Sequence, residues 1–407
     1  MSLSKSMKSG IVASKLPPTV APTLQSVSAQ SLDQEYLDLY AINANNINTL
    51  PVPISFTQTR NLPFIDCPED YNLSVIRFQV DSQILPVFAA AIKYNSSLLN
   101  DTIYSVSLSW TNPLNLAQTF NAQQYVQWIS QDKASPIPNA PSTTSNGFQD
   151  NSSGYYYAYN YSYVIQLCNN ALSTCFTTLN GLVVAAGLVL PTTHAPVLTW
   201  NVDKNIAVLN SDILGYNQSV ANKITIYFNQ SMYQLFNSIP AYLMSYTSPI
   251  GQDYRVDTNS FGASTVTAFP FYLPTYNAIQ TFQEQTSVSI WSPISSIVFT
   301  TNTLPINATQ VCNPCIFINS IPSGNNGTNA GIANVISDFQ SSDNIYKNNI
   351  LYIPSGQYRY VDLIGKKPLY TIDIQVAWID KFGNSIPFRL VSGSCASVKI
   401  LFERKKK

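Results

Sequence analysis

The chain has 407 residues, enough for one large or two ordinary domains with a substantial core. Hydrophobic residues make up 45% of it and charged residues only 10%, against about 25% charged in an average soluble protein. The 21 basic and 21 acidic side chains cancel, which excludes a strongly polyanionic or polycationic body.

Solubility normally rests on charge. A charge-poor surface rich in Asn, Gln, Ser, Thr and 25 Tyr therefore suits a protein largely covered by its neighbours. A codon bias toward Asn and Tyr is an equal explanation of the composition, without changing that consequence. The charges are unevenly placed: Lys5, Lys8 and Lys15 stand in an N-terminal stretch without acids, and Arg404, Lys405, Lys406 and Lys407 close the chain. These basic ends are candidate contacts for nucleic acid, or else ordinary solubilising termini.

In chain order, residues 1–50 read as a flexible basic arm followed by a short helix. Ser31 and Gln34 resemble a capping box before Leu32, Tyr36, Leu39 and Tyr40. Residues 51–190 are expected to form an N-terminal β-module. Within it Ile76, Phe78 and Val80 alternate with Arg77 and Gln79. Tyr104, Val106, Leu108 and Trp110 alternate with Ser105, Ser107 and Ser109, predicting a half-buried strand. Pro136, Pro138 and Pro141 open a polar loop that runs to Gly154.

The period then changes. Tyr161, Val164, Ile165, Cys168, Ala171, Leu172, Cys175, Phe176 and Leu179 follow helical spacing, predicting a long helix near 157–181 that ends at about Gly181. A shorter helix is expected around Met232, Leu235, Phe236 and Ile239. Residues 191–402 are expected to form a C-terminal β-sandwich module, with residues 403–407 as a basic tail. In it Ile372, Ile374, Val376 and Trp378 alternate with polar neighbours, as do Ala396, Val398, Ile400 and Phe402. Many strands with long polar loops and a few inserted helices predict a mainly β sandwich.

Motifs that carry chemistry are scarce in the chain. His194, the only histidine, lies between Pro191 and Pro196, and no G-x-S-x-G elbow, Walker loop or dinucleotide fingerprint is present. Cys312 and Cys315 form a lone CNPC without the further ligands a zinc site needs. Two acidic sets, Asp66 with Glu69 and Asp70, and Asp373 with Asp380, are the candidates for an acid-pair glycosidase. No cofactor or metal is expected, and the reading is not an enzyme. The longest apolar run, Leu182–Leu190, contains Gly187 and is too short to span a bilayer, so membrane insertion is not expected.

Tyr155, Tyr156, Tyr157 and Tyr159, with Tyr161 and Tyr163 just beyond them, form the densest aromatic cluster. Consecutive tyrosines cannot all face one core, so these are candidate subunit contacts; a stacking platform for a ligand is the alternative. A cell-surface or glycan-binding β-module remains the competing class.

The C-terminal third resembles a known group. WSPISSIVFTTNTLPI from Trp291 to Ile306 is followed by Tyr358, Arg359 and Asp362. Then come IDIQVAWIDKFGNSIPFRL from Ile372 to Leu390 and SCASVKILF from Ser394 to Phe402. Together these resemble capsid proteins of small eukaryotic DNA viruses and of Polinton-like virus-related elements. The tyrosine-rich helix and the turn Thr193–Pro196 are similar to the same group. The resemblance implies a jelly roll, either single with a large insertion or a compact double. It also implies an icosahedral virion subunit, assembled in host cytoplasm or nucleus, whose partners are its own copies and other capsid proteins. The major subunit is the slightly favoured rank, and a penton or minor protein is the alternative.

Overall fold

The structure is a computed structural model. It describes residues 34–44, 51–81, 85–93, 98–131, 135–139, 149, 153–244, 249, 251–258, 263–266, 276–311, 316–318, 321–323, 331–340, 349–354, 359–381 and 383–406.

Three strands come first: β1 (Gln34–Ile42), β2 (Ser55–Thr59) and β3 (Tyr71–Asp81). The middle of the chain holds β4 (Asp101–Thr111), β5 (Thr119–Gln127) and helix α1 (Tyr161–Ala185). It continues with β6 (Val197–Asn201), β7 (Ile206–Asp212), β8 (Ile224–Phe228) and β9 (Tyr276–Phe282). The principal strands that follow are β10 (Ile294–Thr300), β11 (Val335–Phe339), β12 (Asn349–Tyr352), β13 (Thr371–Asp380), β14 (Ser385–Pro387) and β15 (Cys395–Arg404).

The first and last groups build one sandwich. One sheet runs β1-β15-β3-β12; the other runs β11-β10-β13-β14, with β2 also paired to β13. All these pairings are antiparallel. The inner faces meet in one core that joins Leu37, Phe78, Val398 and Ile400 to Phe299, Ile374 and Trp378. Phe78 and Phe299 touch edge to face at 5.0 Å between ring centroids, the offset geometry aromatic pairs prefer.

The middle group forms a second core. It unites β4, β5, α1 and β6–β8 with residues as far as Trp291. Its sheets are β5-β4-β8, extended by residues 254–256 and 241–243, and β6-β7-β9, extended by residues 263–266. The chain is thus a mainly β, jelly-roll sandwich carrying a large module inserted between β3 and β10. The expected boundary at 190/191 falls inside the second core, because α1 and β6 bury their apolar faces together.

Local expectations mostly follow, with instructive exceptions. Residues 34–42 form β1 rather than a helix. Leu37 and Leu39 are buried while Tyr36 and Tyr40 are exposed, which is a period of two. Pairing with β15 runs unbroken from Gln34↔Glu403 to Ile42↔Cys395, and this long ladder overrides a local capping signal. In β3 the register shifts so that Val75 and Arg77 face Ile400 and Lys399, leaving Ile76 as an extra residue. This bulge turns Ile76 partly outward and places Val75 and Phe78 in the core.

Strand β4 is buried on both faces rather than one: Ser105 and Ser107 are as inaccessible as Val106 and Leu108. Their hydroxyls are satisfied by Gln123 Nε2, which donates to Ser105 Oγ (3.0 Å), and by Gly251 O, which accepts from Ser107 Oγ (3.0 Å). Helix α1 starts later than expected because Asn160 caps it, accepting the Tyr163 amide at 2.8 Å. It also passes through Gly181, since burial of Leu179 and Val183 outweighs the roughly 1 kcal/mol a helical glycine costs. The short helix is Gln230–Leu235, with Met232 and Leu235 buried.

Candidate functional site

The tyrosine cluster is where the two modules join. Tyr157 and Ala158 pair with Phe88 and Ala89, and successive side chains in an extended segment point to opposite sides. Tyr156 enters the inserted module, fully buried, its hydroxyl donating to Leu99 O at 2.9 Å. Tyr157 enters the outer sandwich, 6% exposed, and meets Trp378 edge to face at 5.7 Å. Burial raises the Tyr157 pKa above the ordinary tyrosine value.

The tyrosines thus face two cores. Tyr156 and Tyr157 present almost no surface, which removes them as subunit contacts. Tyr155 and Tyr159 are only partly buried. The Tyr155 hydroxyl donates to Asn100 Oδ1 at 2.8 Å, and the Tyr159 amide donates to Gln131 Oε1 at 2.9 Å. The seam also borders a partly open pocket of about 170 Å³, with Gln149, Tyr157, Asp380 and Lys381 in its wall. That volume is below the roughly 300 Å³ at which small-molecule sites begin.

The basic C-terminal tail is shorter than expected. Arg404 is the last residue of β15, its guanidinium 4.0 Å from the Asp70 carboxylate. The Lys405 amide donates to Asp70 O (2.7 Å), while its ammonium lies 3.4 Å from Asp362 and donates to Leu363 O (3.2 Å). Both side chains are engaged with the fold because β15 is held between β1 and β3, which carries its end against Asp70. Lys406 is exposed; Lys407, Lys5, Lys8 and Lys15 lie outside the described residues.

Members of both acidic sets are engaged by neighbouring side chains and amides. Glu69 lies 3.6 Å from the Lys366 ammonium, and Asp70 faces Arg404. Asp373 and Asp380 sit near opposite ends of β13. At about 3.3 Å per residue they are roughly 23 Å apart, beyond the approximately 9.5 Å limit for paired glycosidase carboxylates. Asp373 accepts from Thr301 Oγ1 (2.7 Å), the Asn302 amide (2.9 Å), the Thr303 amide (2.8 Å) and Thr303 Oγ1 (2.5 Å). Asp380 accepts from the Asn384 amide (2.8 Å) and side chain (2.9 Å), closing the turn after β13.

His194 belongs to the loop before β6, where its amide donates to Thr192 Oγ1 (3.1 Å) and its carbonyl accepts from Tyr216 OH (3.0 Å). Cys312 and Cys315 lie outside the described residues. Among the described residues, no group of three or more His, Cys, Asp or Glu is placed to hold a metal ion. Among the same residues, no helix is long and apolar enough to cross a membrane.

Comparison with known proteins bears on both modules. The model of the family Sputnik minor capsid protein V18/19 matches residues 35–404. Structural protein V19 of Sputnik virophage is 29% identical over 200 residues, covering 47% of this chain and 85% of that protein. Uncharacterized protein V18 of the same virophage is 33% identical over 132 residues, or 31% of this chain and 74% of that protein. A chain from the 3.5 Å cryo-EM structure of the Sputnik virophage superposes with a TM-score of 0.75 at 25% identity, covering 92% of this chain and 98% of that one.

The mavirus penton protein crystal structure superposes with a TM-score of 0.58 at 16% identity, covering 91% and 99%, a likeness of fold. The family is one of minor capsid proteins, which corrects the slight preference for the major subunit. With its matched region running from β1 to β15, the chain belongs to the Sputnik minor capsid protein V18/19 family and is a structural component of a virophage capsid.

Proposed function

We propose that this chain is a penton-type subunit, closing the vertices of an icosahedral virophage shell and performing no catalysis. It assembles with its own copies and with other capsid proteins through sandwich faces and loops. The observation that carries the reading is the family match over residues 35–404, which includes the outer sandwich and the inserted module together. The low charge of the chain agrees with a surface destined to be covered. Within this reading, Lys5, Lys8, Lys15, Lys406 and Lys407 are the cations left to meet nucleic acid, since Arg404 and Lys405 are held by Asp70 and Asp362.

The test is oligomeric state by light scattering and negative-stain microscopy of the full chain across a concentration series. Five-membered rings or larger symmetric assemblies are expected. A monomer that persists at high concentration overturns the reading, and saturable binding of that monomer on a glycan array would favour the sugar-binding alternative.

A further inference from the structure

The apolar run Leu182–Leu190 is the end of α1 and the loop after it. Leu182, Val184 and Val189 are 44%, 57% and 81% exposed, and Gly181, Ala185, Ala186 and Gly187 are also exposed. The hairpin joining β4 to β5 carries two further bare leucines, Leu114 at 91% and Leu116 at 78%.

The two segments reach the same end of the inserted module. Helix α1 runs antiparallel to β5, with Tyr163 OH bonded to Ile129 O at one level and Cys175 Sγ bonded to Ala122 O (3.2 Å) at the next. From Cys175 to Val184 the helix rises about 13 Å, and from Ala122 back to Gln118 the strand covers about 13 Å. The helix end and the hairpin tip therefore lie level.

Both are built to lose water at little cost. Helix α1 closes with Leu188 N bonded to Val183 O (3.0 Å) and Gly187 N to Val184 O (2.9 Å), Gly187 being left-handed at φ +75. This arrangement satisfies terminal carbonyls internally. At the hairpin, Leu114 N donates to Asn112 Oδ1 (3.0 Å) and Ala117 N to Asn115 Oδ1 (3.3 Å). Asn115 N and Gln118 N are bonded to the carbonyls of Asn112 and Asn115. Burying such a surface leaves few polar groups unpaired.

We propose that this end of the inserted module, formed by Leu114 and Leu116 with Leu182, Val184 and Val189, is a contact between copies of this chain. The proposal rests on the self-assembling reading above. The five residues expose roughly 600 Å² in all, at the upper end of what the largest apolar patch on a monomer reaches and most of the roughly 800 Å² that each partner contributes to a stable interface.

Residues 112–118 and 181–190 contain no charged side chain, so identical ends brought together by symmetry do not repel. The neighbouring loop contributes Lys223, whose ammonium donates to Gln218 O at 2.8 Å. A lipid surface fits less well: segments that enter the membrane interface carry Trp, Tyr, Lys or Arg, and neither segment has one.

The test compares the full chain with Leu114→Asp/Leu116→Asp and with Val184→Asp/Val189→Asp by sedimentation velocity. Far-UV circular dichroism and thermal unfolding check that these exposed changes leave the fold intact. At least 100-fold weaker self-association is expected for each pair. Folded variants that assemble like the native chain overturn this contact and leave the self-assembling reading standing; a native chain that never associates overturns both. Loss of cosedimentation with neutral phosphatidylcholine vesicles in variants whose self-association is unchanged would assign the end to lipid instead.

Discussion

Replacing Asp373 tests how the outer sandwich is pinned. The side chain is 6% exposed and takes four donors from the turn after β10: two hydroxyls and two amides. Asp373→Ala leaves all four without an acceptor. Hydrogen bonds to a charged group contribute about 1.5–3 kcal/mol each, but water reaches the rim of the turn and replaces part of this. A loss of about 3–4 kcal/mol follows, within the range for breaking a buried charge network. Asp373→Asn keeps the shape but turns an acceptor into a donor facing donors, for a loss of about 2 kcal/mol.

The assay is urea unfolding read by fluorescence, with hydrogen exchange to localise the change. Exchange should accelerate at residues 301–304 and in β13, and not in α1. The pH dependence has a definite sign. Burial alone would raise the Asp373 pKa, but the hydrogen bonds from Thr303, Thr301 and the Asn302 and Thr303 amides together hold it below its ordinary value of 3.8. A depressed carboxyl pKa stabilises the fold above the unfolded value, and that contribution disappears as pH falls through the folded value. The native and Asp373→Asn stabilities should therefore differ fully at neutral pH and converge below about pH 4. Variants within 0.5 kcal/mol of native at pH 7, or a gap that widens in acid, would refute this account of the turn.

Further outcomes follow from the seam and the buried thiols. Tyr157→Ala should cost about 3–5 kcal/mol through the cavity left beside Trp378 and split thermal unfolding into two calorimetric transitions, whereas a single unshifted transition would contradict the role given to Tyr157. Tyr157→Phe should cost about 1 kcal/mol and keep one transition. Burial pushes the Cys168 and Cys175 thiols up to about 12, so at pH 8 about one in ten thousand is ionised. A maleimide pulse followed by peptide mass spectrometry should label exposed Cys395 and spare both; labelling of Cys175 as fast as Cys395 would disprove the burial.

What could be read from the sequence was whatever local periodicity decides. The α1 face from Val164 to Leu179 and the alternations in β13 and β15 stand in the structure as the spacing indicates. What stayed hidden depends on distant partners. Nothing near Tyr36 or Leu39 announces that β15 will draw them into a strand. Nor does the neighbourhood of Ile76 signal the bulge created by pairing with residues 399 and 400.

The tyrosines carried a real signal, since consecutive aromatics cannot share one face, but the second face proved to be another core of the same chain. That followed from a fold in which the ends of the chain close one sandwich around an insertion, a long-range arrangement with no local sequence mark. The apolar run Leu182–Leu190 was visible as too short for a membrane. Its exposure depended on where α1 ends relative to the β4–β5 hairpin.

The central claim, that this chain is a vertex subunit of a virophage shell, is tested most directly by cryo-EM of shells formed on co-expression with the major capsid protein. The account predicts density for both modules of this chain at the fivefold vertices, and shells lacking those vertices when it is omitted. Complete shells closed without it, with the chain left free in solution, would contradict the account.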